Sequence, residues 1–440
     1  MTAAPPWAQP GITDVPAARA FLDALASRDT LVLASSDGDV GYPLTRRAHA
    51  FRGHTAYVSR TIIAATPPPE DLLDYHRSLG LGPERVLCPA AASARARLAR
   101  LVLDDEALCT RIRADHSLAR MMIAFKDRAA ETLVAHLGLA PSYCAPAAEA
   151  YETANDKLAL AEASARYGFD AVAMRAAPDA AALDAAFRAL ADVHGEGCVI
   201  RLRRGAGGHH VHWAPTLAAA RRVWRRLRGR GDVLVAPWIP TARVLRNVAT
   251  HGIVTGDGFA PIVFSDQLIR KCSFRGGRVT PEWRAEEVAA VRGALARIAR
   301  WLTDLGYRDA PVGIDGFLLR APDGPRFLAL DPNVRLTGTM LPWAVVATLG
   351  EAVGRAFVWQ FEWFPMLGAA LTLPRLRHRL GEDLVRPAAL ERGGVLPTFL
   401  ATRRLGPLGA SGLWAILLAY DAAHLAHLRE RVRRLALILR

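Results

Sequence analysis

Two apolar runs, Val312 to Leu319 and Arg326 to Asp331, flank Ala321-Pro322-Asp323-Gly324, whose Pro, Asp and Gly are turn-forming residues. The spacing predicts a β-hairpin. Folded about Pro322-Asp323, it sets Asp315 opposite Leu330, one residue from Asp331, so two carboxylates approach each other across the strands. Like charges repel there. The two-residue period of a strand also puts Asp331, Asn333 and Arg335 on one face, adding an amide oxygen and a guanidinium. Asp315, Asp331 and Asn333 are hard oxygen ligands, and magnesium would relieve their repulsion. Taken alone, the same residues also suit a solvated sheet edge.

The upstream chain adds a second element of the same chemistry. A strand over Cys198 to Leu202 empties into Arg203-Arg204-Gly205-Ala206-Gly207-Gly208, a loop free to adopt positive φ and to cradle phosphate with backbone N–H groups. Arg201, Arg203 and Arg204 flank it. Helices are predicted over Asp156 to Tyr167, capped by Gly168, over Asp179 to Val193, and over Thr216 to Leu227, with a strand from Val233 to Ala236. Glu286 to Leu305 carries Val288, Val291, Leu295, Ile298 and Leu302 at steps of three and four, one face of a helix. Residues 1–150 alternate short strands (Thr30 to Ser35, Arg85 to Leu87) with helical runs (Ala91 to Leu103), a small α/β layer without a dinucleotide glycine fingerprint. The region after 345 reads as mostly helical.

Composition bounds the classes. At 440 residues, 51% hydrophobic and 22% charged, the chain is globular and long enough for about three domains. Five cysteines lie far apart with no CxxC pair, which fits a reducing compartment and argues against a zinc cluster. The Pro-broken start and the short Leu408 to Tyr420 stretch predict neither a signal peptide nor a spanning helix, so a cytoplasmic protein is expected. A net charge of +14 favours anionic partners. Only Lys126, Lys157 and Lys271 are lysines among 56 basic residues, so a retained lysine hints at a site that wants a compact ammonium.

Taken in order, the pieces from Tyr151 to Trp343 resemble the ATP-grasp superfamily: Asn155-Asp156-Lys157 at a helix start, VIRLRRGAGG, the hinge strand VLVAPWI, a helix ending at Gly306, then GIDGFLL and LALDPNVRLTG. That resemblance implies an α/β (α+β) ATP-grasp fold. Residues 1–150 would be the N-terminal pre-ATP-grasp domain, 151–345 the ATP-grasp domain and 346–440 a helical C-terminal region. It also implies ATP and Mg²⁺ as cofactors. Lys157 and Arg201 would be the phosphate-holding cations, with Gly205, Gly207 and Gly208 as the closing loop. Val235 and Trp238 would lie at the nucleotide's hinge. Asp315, Asp331 and Asn333 would ligate the metal, and Arg335 would be the catalytic cation that steadies the acyl phosphate or tetrahedral species. Lys271, in Arg270-Lys271-Cys272, is by position either a second catalytic cation for the phosphates or the acceptor, or a surface loop residue. Arg201 stands where the family usually has lysine, Asp331 where it usually has glutamate, and Ala236-Pro237-Trp238 where an acid is common.

Within the superfamily, Ser265-Asp266-Gln267, the N-terminal layer and the tail look most like the pheganomycin-type peptide ligases. The activity implied is carboxylate–amine ligation through an acyl phosphate, on small-molecule or peptide substrates, with self-association left open. Two alternatives stand beside it: a degenerate ATP-grasp binding protein without turnover, and a basic nucleic-acid-binding protein. Arg221 to Arg230 is the densest basic run, but only Trp224 is interleaved for stacking, so a solvated helix face is favoured. His209, His210 and His212 follow the glycine loop without a third metal ligand in view. Arg429 to Arg440 is expected to pack its leucines and show arginines to water, and Cys272 has no base partner.

Overall fold

The structure is a computed structural model of the 440-residue chain. It describes residues 4–33, 57–65, 67–90, 97–204, 210–270, 272–280, 282–367, 371–403 and 410–438. Near the N-terminus, β1 (Thr30–Leu33), β2 (Thr61–Ile63), β3 (Arg85–Leu87), β4 (Arg120–Ile123) and β5 (Ala140–Ser142) form a parallel sheet in the order β3-β2-β1-β4-β5. A parallel sheet needs both faces covered. Val32 and Ile62 pack with Phe21, Leu22 and Leu72 from the helices Val15–Ala26 and Glu70–Ser78. Leu31, Leu33 and Ile63 face the other way, toward Leu98, Cys109, Ile112 and Leu133. The helix read over 91–103 is described from Leu98; residues 91–96 lie outside the described residues.

A small antiparallel sheet follows: β6 (Arg175–Ala176), β7 (Cys198–Leu202), β8 (His212–Ala214) and β9 (Val233–Pro237), in the order β6-β9-β7-β8. Helices Ala180–Ala191 and Leu217–Leu227 back one face. Asp179 and Thr216 start them by accepting backbone N–H bonds from Ala182 and Ala219. The opposite face, with Val199, Leu234 and Ala236, turns toward the large sheet at Phe317, Leu328 and Leu330. Between the sheets lies the cleft that holds the candidate site.

The large sheet contains β10 (Val244–Thr255), β11 (Gly258–Arg270), β12 (Ser273–Val279), β13 (Ala310–Leu319), β14 (Arg326–Asn333), β15 (Val358–Leu367), β16 (Gly394–Arg403) and β17 (Ala410–Ala419). All neighbours are antiparallel, in the order β14-β13-β10-β11-β12-β15-β17-β16. Helix Ala285–Asp304 buries its predicted stripe of Val288, Val291, Leu295, Ile298 and Leu302 against Val248, Phe264, Ile314 and Leu318. The expectation of a mostly helical region after 345 does not hold. Three ten-residue strands, β15 to β17, lie there and continue the large sheet, beside helices Met340–Val353, Leu373–Leu380 and Ala422–Ile438.

Chain segments far apart in sequence lock this sheet. The Gln9 side-chain amide imitates a peptide group, donating to Phe264 O at 3.1 Å and accepting from Phe264 N at 2.8 Å. At the other end of the chain, Arg429 makes a two-pronged pair with the buried Glu362 at 2.7 and 3.0 Å. The last helix buries Leu425, Leu428, Val432 and Leu435 as expected, although Arg429 and Arg431 are ion-paired rather than only solvated. Among the described residues no helix is long and apolar enough to cross a membrane.

Candidate active site

The hairpin forms with the predicted register from Leu319↔Arg326 to Gly316↔Ala329. A bulge between Asp315 and Gly316 then skips Leu330 and sets Asp315 directly opposite Asp331. Both carboxylates therefore share one face. Asp315 is half-buried on β13, with Asn333 Nδ2 donating to its Oδ2 at 2.9 Å and Gln267 bonding it from β11. Burial, and then the charge of Asp331, push its carboxyl up to about 7.

Two cations from separate elements converge on Asp331. Lys157 opens the helix Lys157–Tyr167, and its Nζ lies 3.0 Å from Asp331 Oδ1. Arg201 reaches across from β7, its Nη2 donating to Asp331 Oδ2 at 2.9 Å. Both side chains are almost fully enclosed, 3% and 7% exposed, so the pairs act in a low-dielectric setting. Burial lowers the Lys157 pKa, and Asp331 opposes that shift. Arg201 Nε is buried with no hydrogen-bond partner, a donor with capacity left for an anion.

Arg335 completes the face. Its Nη2 donates to Asn333 Oδ1 at 2.6 Å and its Nη1 to Asn155 Oδ1 at 3.0 Å, and its guanidinium sits 5.0 Å from the Phe125 ring centroid. Asn155 also accepts from Val334 N at 2.9 Å, tying the start of the lysine helix to the end of β14. The next residue, Asp156, caps that helix through Leu158 N and takes Arg203 in a bidentate pair. Arg203 is thus committed to Asp156, and Arg204 pairs with Glu152. Both arginines that precede the glycine loop are ion-paired with acids of the chain around 152–156.

The remaining sequence candidates divide by placement. Gly205, Gly207, Gly208, His209 and Lys271 lie outside the described residues. Trp238 is half-buried at the end of β9, 5.6 Å centroid to centroid from the exposed Trp213. Val235 points the other way, into the helix-backed core with Phe187 and Trp224, because it alternates with Leu234 and Ala236, which face the cleft. His210 and His212 are pushed toward the neutral form by burial and by neighbouring arginines, and His212 lies 3.0 Å from Arg226. Cys272 sits at a hairpin turn with φ 61, and burial raises its thiol pKa, unfavourable for a nucleophile. Lys126 is structural, its ammonium spread over Ala145 O, Pro146 O and Glu131. Trp224 is buried and donates to Ala177 O, so the arginine run carries no stacking ring at its surface.

Sequence reasoning gave no role to Phe125 and did not place Gln267 on Asp315. It also missed His251, whose Nδ1 lies 2.8 Å from Thr337 Oγ1 just beyond Arg335. Among the described residues no three His, Cys, Asp or Glu side chains gather as a metal site, so the candidate set is two carboxylates and one amide.

No family model matches the chain, and no curated protein matches it. Solved structures do. N5-carboxyaminoimidazole ribonucleotide synthetase from Thermus thermophilus aligns at 16% identity and a TM-score of 0.54, covering 92% of this chain and 98% of that one. Carboxyaminoimidazole ribonucleotide synthase from Aspergillus clavatus, complexed with ATP, aligns at 13% and 0.53, covering 93% and 100%. An L-amino acid ligase from Bacillus licheniformis aligns at 10% and 0.54, covering 92% and 97%. At such identities the likeness is one of fold, over nearly the whole of each chain. With a parallel N-terminal sheet and a cleft between a small and a large antiparallel sheet, this chain has the ATP-grasp fold.

Proposed function

We propose that the protein is an ATP- and Mg²⁺-dependent carboxylate–amine ligase that forms an amide or peptide bond through an acyl phosphate. One observation carries the reading: Lys157, on the helix tied to β14, and Arg201, from the small sheet, converge on Asp331 beside Asp315 in one enclosed site. Cations suited to phosphate and oxygens suited to a hard metal are thereby adjacent. The residues fit magnesium. Asp315, Asp331 and Asn333 supply few protein ligands, which suits an ion that keeps phosphate and water in its shell. When bound, Mg²⁺ would supply positive charge between the acids and the phosphates.

In this reaction a carboxylate oxygen displaces ADP from the γ-phosphorus. An amine nitrogen then displaces inorganic phosphate from the acyl carbon and loses a proton. The task of Lys157 and Arg201 is to hold phosphate oxygens as charge moves onto the departing ADP. Arg335, fixed by Asn155, Asn333 and Phe125, steadies the acyl phosphate and the tetrahedral species. By the resemblance, the roles of shielding the phosphates from water and of serving the phosphates or the acceptor fall to Gly205, Gly207, Gly208 and to Lys271, which lie outside the described residues, and Trp238 would border the base. The fold shared with an L-amino acid ligase fits an amino acid as one substrate. A peptide substrate rests on the resemblance to pheganomycin-type ligases.

The test is release of ADP from ATP and Mg²⁺ with a panel of amino acids offered in pairs. Turnover with at least one pair, lost in Asp331→Ala, is expected. Absence of ADP release across the panel, with nucleotide still bound, would favour the non-catalytic alternative.

A further inference from the structure

Among the described residues, the carboxylates, the amide and the cations that a metal–nucleotide complex would use here are already paired with one another. Both oxygens of Asp331 are taken, Oδ1 by Lys157 at 3.0 Å and Oδ2 by Arg201 at 2.9 Å. Asn333 Oδ1 accepts from Arg335 at 2.6 Å, while its Nδ2 donates to Asp315 at 2.9 Å. The Asp331 carboxylate therefore occupies, between two phosphate-type cations, the position of an anionic ligand. We infer that Asp331 is a built-in substitute for phosphate, which makes the pocket select the metal–nucleotide complex over either component alone. This deepens the ligase reading and rests on its nucleotide site.

The selection follows from charge. A lone divalent cation would have to displace Lys157 and Arg201 from Asp331, and Arg335 from Asn333, and then remain beside three positive charges. A lone nucleotide would have to draw both cations off Asp331, leaving that carboxylate unpaired beside Asp315 and facing a polyanion. Breaking an enclosed ion pair by removing one partner is costly, because the remaining charge is neither paired nor hydrated. The complex alone lets both exchanges happen together: Lys157 and Arg201 move to phosphate as Asp331 and Asn333 turn to the metal. Arg201 Nε, buried without a partner, adds a donor that only the exchanged arrangement uses.

Calorimetry on the full chain tests this with ADP, which is not consumed. Three titrations suffice: Mg²⁺ alone, ADP in EDTA, and ADP in saturating Mg²⁺. For the unaltered protein Mg²⁺ is expected to raise ADP affinity by about 30-fold, inside the usual range of coupling between sites, with no measurable binding of Mg²⁺ alone. In Asp331→Asn the cations are released, so ADP affinity in EDTA is expected to rise about tenfold above that of the unaltered protein, with the Mg²⁺ enhancement falling to roughly threefold or less. A merely structural ion pair would give the opposite, weaker binding in both media. Equal ADP affinity with and without Mg²⁺ in the unaltered protein overturns the inference whatever the variant's folding, and leaves the nucleotide site standing. No ADP binding in any medium overturns the nucleotide reading itself, and this inference with it.

Discussion

Asp315 and Asp331 face each other across the bulged pair, yet their surroundings differ. Asp331 has Lys157 and Arg201 at 3.0 and 2.9 Å, whereas Asp315 is bonded by the side-chain amides of Asn333 and Gln267. Asp315→Asn removes the repulsion but keeps the shape. It is expected to leave urea stability within about 1 kcal/mol and to weaken Mg²⁺–ADP binding by roughly tenfold or more, read by equilibrium unfolding and calorimetry. His251 gives a pH signature. Burial lowers its pKa to about 3, below the usual 6.5, so the folded protein refuses a proton that the unfolded chain accepts. Its contribution to stability is complete above pH 6.5 and is lost as pH falls toward 3, at up to about 1.4 kcal/mol per pH unit. Urea midpoints across that range should decline less steeply in His251→Gln; an unchanged slope would show that the imidazole titrates freely. Asp315, Asp331 and Asn333 were legible in the sequence because a turn centre and strand alternation place them, whereas Lys157 and Arg201 entered as a pair only through the resemblance to the ATP-grasp superfamily. Phe125 and Gln267 were not, since their partners Arg335 and Asp315 are distant in sequence and no periodicity links them.

The bulge at Asp315 is the element-scale feature that completes the pocket, and a second feature of that kind joins the C-terminal strands to the sheet. Gly276 on β12 has φ 151, and a Cβ there would lie 1.7 Å from Phe361 O of β15. Gly276→Ala is expected to cost at least about 3 kcal/mol by overpacking and strain, seen as a lower urea midpoint or loss of soluble protein. Full stability in that variant would show that β12 and β15 are not so closely apposed. The strands β15 to β17 escaped sequence reading for a physical reason. Val358–Leu367, Gly394–Arg403 and Ala410–Ala419 place apolar residues at odd and even positions alike and bury polar ones such as Gln360, Glu362 and Thr398, so neither a two-residue nor a 3.6-residue period stands out. By contrast, Ala285–Asp304 was legible because one face alone meets the core.

At the scale of the molecule, segments far apart in sequence are bound into the large sheet, Gln9 at Phe264 and Arg429 at Glu362. Arg429→Ala leaves Glu362 buried without its cation, and because Arg429 is itself 31% exposed the expected loss is about 2 kcal/mol, less than for a fully enclosed pair. Urea unfolding reads it, and Arg429→Lys should restore part of the loss. The small sheet meets the large one through Val199, Leu234 and Ala236 against Phe317 and Leu328, which holds Arg201 over Asp331. Everything proposed for the protein requires that this site bind a metal–nucleotide complex between the two sheets. Thermal unfolding of the full chain with and without saturating ADP and Mg²⁺ measures this most directly, in the unaltered protein and in Asp315→Ala. A rise in midpoint of roughly 5 °C in the former, mostly absent in the latter, is predicted. No rise, or an equal rise in Asp315→Ala, would contradict it.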